Sequence, residues 1–239
     1  MGGGVGVIFY FANIFAGGTY MSGFVSALIE VPFLDGYNSY PFQVLYGTIV
    51  LFLIMLVCIV GADAFAKTSF LIFVFLWVSL LGCLGSIWFT QDSSVEGFTG
   101  WSTETFSDNV GPHFDGESFH SVFAVFFPAV TGIMAGANMS GDLKNPGRAI
   151  PLGTLSAIGV TFVFYVILVF SLAFTVTSQT LIDNLFILQT ICFWPPLFLI
   201  GVWLSTLSSA LGVLIGGARI AQALAKDNLI PGIGWLAHG

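Results

Sequence analysis

Residues 69–89 read SFLIFVFLWVSLLGCLGSIWF, a stretch with no charged side chain. A helix needs about 20 apolar residues to cross the roughly 30 Å hydrocarbon core of a bilayer, and this run meets that length without interruption. Five more runs of similar character lie along the chain, so the candidate spans are roughly 5–31, 44–64, 68–89, 119–140, 151–176 and 195–224. Period-two alternation is missing and the runs are too long for barrel strands. The chain therefore reads as an all-α polytopic membrane protein. Its charge content agrees: 7% of residues are charged, against about 25% in soluble domains. Five Lys plus Arg are too few to neutralise a phosphate backbone, which excludes nucleic acid as a partner. The three cysteines, Cys58, Cys83 and Cys192, show no CxxC spacing. They predict neither a disulfide framework nor a zinc site, but thiols buried or facing lipid. Met1-Gly-Gly-Gly leads straight into an apolar segment without a basic signal-peptide region, and the chain stops soon after its last apolar run, which predicts a fragment of a longer protein.

The connections fall into two alternating sets. Segments 65–67, 141–150 and 225–239, with their edges, hold every basic residue: Lys67, Lys144, Arg148, Arg219 and Lys226. Segments 32–43, 90–118 and 177–194, with their edges, hold Glu30, Asp35, Asp92, Glu96, Glu104, Asp108, Asp115, Glu117 and Asp183. The positive-inside rule makes the basic face cytoplasmic. Loop 90–118 is then extracytoplasmic and reads as a solvated acidic loop, although His113, His120 and Asp115 also carry metal-ligand chemistry. The one glycosylation-type triplet, Asn138-Met139-Ser140, falls on the cytoplasmic side.

The fourth run contains a conflict. FFPAVTGIMAGANMSGDLKNPGRAIP, from Phe126, places Pro128, Thr131, Gly132 and Gly136 inside an apolar segment. Proline lacks the amide hydrogen and clashes one turn back. Irregular backbone survives at membrane depth only where it is buried or lines a watery cavity, so the spacing predicts a sheltered break over 129–134. There, freed carbonyls can hold a cation and exposed amides an anion; a simple proline kink is the alternative. The following polar turn is bounded by Pro146 and Pro151.

Two other spans carry small or polar stripes. Ser205, Ser208, Ser209, Gly212 and Gly216 share one helical face, which suits either a hard cation such as sodium or close helix packing through GxxxG. Asn13, Gly17 and Tyr20 recur likewise; Tyr20 suits either a potassium ion or a hydrogen bond to a neighbouring helix.

Three stretches carry a family resemblance. VFFPAVTGIMAGANMSGDLKNPGRAIPLGT resembles the sixth helix and following turn of the cation-chloride cotransporters, solute carrier family 12. GVGVIFYFANIFAGGTYMSGF is similar to their third helix and LSTLSSALGVLIGGARIAQALAKDNLIP to their eighth. WPPLFLIG and SGDLKNPGRAIPLGT point to the divergent branch of members 9 and 8. The resemblance implies a partial amino acid–polyamine–organocation (LeuT-like) fold covering family helices three to eight, in one transmembrane domain fragment with six helices and a broken fourth span. It also implies ion sites: potassium at Tyr20, Pro128 and Thr131, chloride at the amides of Gly132, Ile133 and Met134, and sodium at Ser205, Ser208 and Ser209.

The expected function is part of a secondary active transporter in the plasma membrane, carrying chloride with potassium, sodium or both. No enzyme chemistry and no cofactor are expected. A non-transporting regulatory partner of a cotransporter, and an amino acid or polyamine transporter of the same fold, stand as alternatives. The spans lack interior carboxylates, since Glu30, Asp63 and Asp142 are terminal, which disfavours a polycation. A homodimer and a heteromer with a related cotransporter both stand open.

Overall fold

The computed structural model describes residues 2–31, 34, 36–60, 62–90, 95–111, 116–130, 132–138, 140–229 and 232–237. Thr131, Met139, Asp35, Asp92, His113 and Asp115, each singled out above, lie outside them. The described residues are almost entirely helical and form no named strand; Phe98 and Val176 make one isolated bridge. In chain order the helices are α1 (Gly2–Ile29), α2 (Tyr40–Val60), α3 (Ala62–Phe89), α4 (Thr103–Val110), α5 (Phe119–Phe126), α6 (Ala135–Asn138), α7 (Pro146–Thr175), α8 (Ser178–Asp183), α9 (Ile187–Ile191) and α10 (Pro195–Lys226). Among the described residues, five stretches are long and apolar enough to cross a membrane: Gly3–Ile29, Tyr40–Ile59, Thr68–Phe89, Pro146–Thr175 and Pro195–Lys226. The remaining apolar helix, Phe119–Val130, is shorter. At 1.5 Å per residue it covers about 18 Å, well short of a bilayer core.

The chain divides into two compact units. The first combines Met1–Ile72, Pro128–Thr154 and Trp203–Gly239. Here α1 and the later part of α10 run antiparallel, and glycines set their spacing. A Cβ added at Gly6 would meet Leu224, one at Gly17 would meet Val213, and one at Gly23 would meet Thr206. Small residues on a membrane helix let backbones approach closely, and dispersion then holds them. Met21, Phe24, Val25, Ile54, Ala210 and Leu211 form the buried cluster of this unit. Outward positions of α2, such as Phe52 (56% exposed) and Leu53 (54%), are large and apolar, as a lipid-facing surface requires.

The second unit combines Phe73–Phe127 and Leu155–Val202. Its buried cluster is Ile87, Phe98, Val176, Ile187 and Ile191. In its described part, 95–111, the segment read as a solvated acidic loop carries α4 and packs on the end of α7. Ser102 caps α4 by accepting from the Thr105 amide, a role Ser performs well. The segment then supplies donors to the carbonyls that end α7. Thr99 N donates to Thr175 O at 2.8 Å, Ser102 N to Phe174 O at 3.0 Å, and Asn109 Nδ2 to both Ala173 O and Val176 O at 2.9 and 2.8 Å. A helix leaves its last carbonyls without internal partners, and this segment provides them. Phe106 stacks on Phe174 at 4.1 Å between centroids, which buries the apolar side of the cap. Connection 177–194 likewise contains α8 and α9 rather than irregular chain.

One boundary differs from expectation. α7 starts at Pro146, and Pro151 lies inside the helix rather than at its edge. Pro146 fits the first turn because its missing amide hydrogen has no helical partner there. Asn145 O accepts from Arg148 N and Ala149 N, closing that turn.

Candidate ion site around a broken helix

The break is present. α5 starts with a capping box, in which Ser118 Oγ accepts from Ser121 N and Ser118 N donates to Ser121 Oγ. After Phe126 the helix tightens into a 3-10 turn over Phe127–Val130, where Pro128 cannot sustain the ordinary ladder. Gly132 then takes φ +95°, with nothing within 4 Å of where a Cβ would stand. L side chains rarely adopt such a conformation, so glycine is needed here for backbone shape, not for room. Gly132 O accepts from Ala135 N at 3.0 Å and Met134 O from Asn138 N at 2.9 Å, which forms the single turn of α6. The uncoiled stretch is thus narrower than 129–134, because Ala129 and Val130 belong to the 3-10 turn.

The shelter expected over the break is not supplied by the described part of this chain. Ile133 is 54% exposed and Met134 50%. What the chain does supply is an anchor for the far side of the break. Arg219 Nη1, on α10, donates to Asn138 O at 3.0 Å. That carbonyl is at the C-terminal end of α6, where cationic donors are favourable. Gly216, one turn earlier on α10, leaves the space that the Asn138 side chain uses: an added Cβ would lie 2.5 Å from Asn138 Nδ2 and 3.4 Å from Asn13 Oδ1. Asn13 is buried and donates to Phe9 O at 2.8 Å. Gly216→Val is therefore expected to lower thermal stability by about 1–3 kcal/mol through overpacking. Gly212→Ala, with nothing within 4 Å, should melt like the parent in the same detergent assay. Equal melting of all three would refute the Asn138–Gly216 contact.

The other candidate residues fall as follows. Tyr20 is half-buried on α1 and packs against the cluster that includes Ala210 and Leu211. The contacts of Gly23 with Thr206 and Gly17 with Val213 bracket it, so Tyr20 stands level with the turn of α10 that carries Ser208 and Ser209. Ser205, Ser208 and Ser209 are half-buried in the unbroken α10. Gly216 is about two turns further on, roughly 11 Å along the axis from Ser208 and Ser209. Pro128 is half-buried, Gly132, Ile133 and Met134 are exposed, and Thr131 lies outside the described residues. The chain thus sets Tyr20 level with Ser208 and Ser209 along α10 and ties the break to the same helix further along. The Arg219–Asn138 link was not anticipated from the sequence. Its only local sign was the small-residue stripe ending at Gly216.

Among the described residues, five long apolar helices and a shorter, interrupted apolar helix define a polytopic membrane domain. The chain belongs to the amino acid permease family, whose model matches residues 1–238. The resemblance to solute carrier family 12 is upheld by curated relatives. The chain is 38% identical to solute carrier family 12 member 9 of Danio rerio over 261 residues, covering 95% of this chain and 29% of the relative. It is 37% identical to member 9 of Homo sapiens, covering 96% of this chain and 29% of the relative. With solute carrier family 12 member 8 of Mus musculus it shares 36% identity, covering 100% of this chain and 34% of the relative. The chain therefore spans about a third or less of the length of the curated relatives it matches.

Proposed function

We propose that the chain forms part of a secondary active transporter that carries chloride together with potassium, sodium or both, without enzymatic chemistry. The observation that carries this reading is the break itself: a 3-10 turn, a glycine at φ +95° and a one-turn helix within an otherwise helical chain. Backbone carbonyls and amides freed from a helix replace the hydration shell of a partly dehydrated ion. In this reading potassium is held by Tyr20 Oη with the carbonyl of Pro128 and the side-chain hydroxyl of Thr131. Chloride is held by the amides of Gly132, Ile133 and Met134. Because α6 is a single turn, the anion's affinity comes from these amides rather than from a macrodipole. Sodium is held by the Ser205 carbonyl with the Ser208 and Ser209 hydroxyls, consistent with hard oxygen ligands. The proposed setting is the plasma membrane, with loop 90–118 outside and 141–150 in the cytoplasm, as the basic residues favour.

In the full-length protein, Tyr20→Phe and Thr131→Ala are each expected to reduce chloride-dependent rubidium uptake about tenfold, the effect of losing roughly one ion contact worth 1.4 kcal/mol. Wild-type uptake in both would remove these residues from the site. A regulatory, non-transporting role is the competing reading, favoured by the exposed break in this chain. Co-purification with a related cotransporter, together with no flux from the reconstituted full-length protein, would establish it instead.

A further inference from the structure

Cys83, on α3, and Cys192, in the residue that follows α9, are separated by 109 positions but meet in the second unit. Their sulfurs are 3.9 Å apart. Both residues are buried, at 6% and 4% exposure. The backbones that carry them are held on either side of the pair. Ser79 Oγ donates to Leu197 O at 2.8 Å, and Phe193 N donates to Ser86 Oγ at 3.1 Å. Ser86 Oγ also donates to Gly82 O at 2.8 Å and lies 3.8 Å from Cys192 Sγ. Glycines set the approach: a Cβ at Gly82 would meet Leu197 Cδ2 at 2.5 Å, and one at Gly201 would meet Ser79 Cβ at 2.8 Å. Ser79, Gly82, Cys83 and Ser86 fall on one face of α3 at spacings of three, one and three. The two thiols are thus opposed across a tight, doubly fastened contact.

We propose that Cys83 and Cys192 are an oxidation site, which a peroxide closes into a disulfide tying α3 to the segment that opens α10. The chemistry balances with hydrogen peroxide as oxidant. One thiol, as thiolate, attacks a peroxide oxygen; the O–O bond breaks, a sulfenic acid forms and one water leaves after taking up the released proton. The second thiol sulfur then attacks the sulfenyl sulfur. The S–S bond forms, the S–O bond breaks, and the second thiol's proton leaves with the hydroxyl as a second water. Two thiols lose two electrons and the peroxide gains them. Closure needs the sulfurs to approach from 3.9 Å to about 2.05 Å. Hydrogen peroxide is small and uncharged, so it enters the bilayer and reaches a buried pair. Because the thiolate is the nucleophile, closure is slower here than at exposed redox cysteines.

The test uses the full-length protein in native membranes. Membranes are treated with hydrogen peroxide, remaining thiols are blocked with N-ethylmaleimide, and the protein is digested without reductant for mass spectrometry. The expected result is a peptide containing Cys83 joined to one containing Cys192, increasing with peroxide dose and separated by dithiothreitol. Cys58, on α2 in the other unit, should carry the maleimide. Recovery of Cys83 and Cys192 as separate maleimide adducts, or as separate sulfinic acids, across the whole dose range would overturn the proposal. So would a cross-link from either one to Cys58. In Cys192→Ala the cross-link should vanish and Cys83 should progress to the sulfinic acid. The wild-type measurement decides the matter even if that variant fails to fold.

Discussion

Gly97→Ala should destabilise the protein by roughly 2–5 kcal/mol, combining backbone strain with overpacking. Gly97 has φ +76°, and its missing Cβ is the space that Thr180 fills: an added Cβ would be 2.6 Å from Thr180 Cβ and closer still to Thr180 Oγ1. Thr180 cannot easily withdraw, because its hydroxyl shares a 2.9 Å hydrogen bond with that of Thr177. The Thr177 amide in turn donates to Gly97 O at 2.9 Å. The next residue, Phe98, is buried against Ile87 and Val176, so displacement of Gly97 disturbs the core of the second unit. Gly100→Ala provides the comparison. Gly100 has φ +66° but nothing within 4 Å, so its alanine pays strain alone, about 1–3 kcal/mol. Thermal unfolding in one detergent should rank the proteins parent, Gly100→Ala, Gly97→Ala. Parent-like melting of Gly97→Ala would show that the cap on α7 is not packed as described.

The second large effect is expected at the break. Gly132→Ala adds one methyl group into open space, so any consequence comes through the backbone. Alanine at φ +95° costs about 1–3 kcal/mol, which the segment can avoid by refolding the turn and reorienting the amides of Ile133 and Met134. If those amides hold the anion, chloride-dependent uptake by the full-length protein should drop about ten- to hundredfold, since each 1.36 kcal/mol is a factor of ten. Gly141→Ala, another glycine with open space and no positive φ, should transport like the parent. Equal uptake by Gly132→Ala and the parent would separate the break from anion transport.

Much of the architecture could be read along the chain because membrane crossing leaves a local record. The apolar run 69–89 falls within α3, and the Pro128–Gly132 spacing marks where α5 stops and the backbone turns. Both follow from length, hydropathy and the dihedral limits of single residues. Partner choice leaves no such record. Asn109 lies in the segment read as a solvated acidic loop, yet its amide serves two carbonyls more than sixty residues away. Arg219 counted as one more cytoplasmic charge, but its guanidinium holds the end of α6. Cys83 and Cys192 looked unrelated because no periodicity connects positions 109 residues apart. Of the candidate site, the backbone feature was legible and the neighbours that position it were not. Pro151 illustrates the converse: its residue type suggests an edge, but at the polar end of α7 the helix continues through it.

The grip of Arg219 on Asn138 gives α6 a mechanical character. A single turn cannot hold itself together in isolation, since nucleation is unfavourable and propagation has not begun to compensate. Its cohesion is borrowed from the guanidinium that holds its last carbonyl. The fragment is therefore a passenger of the long helix that carries Arg219.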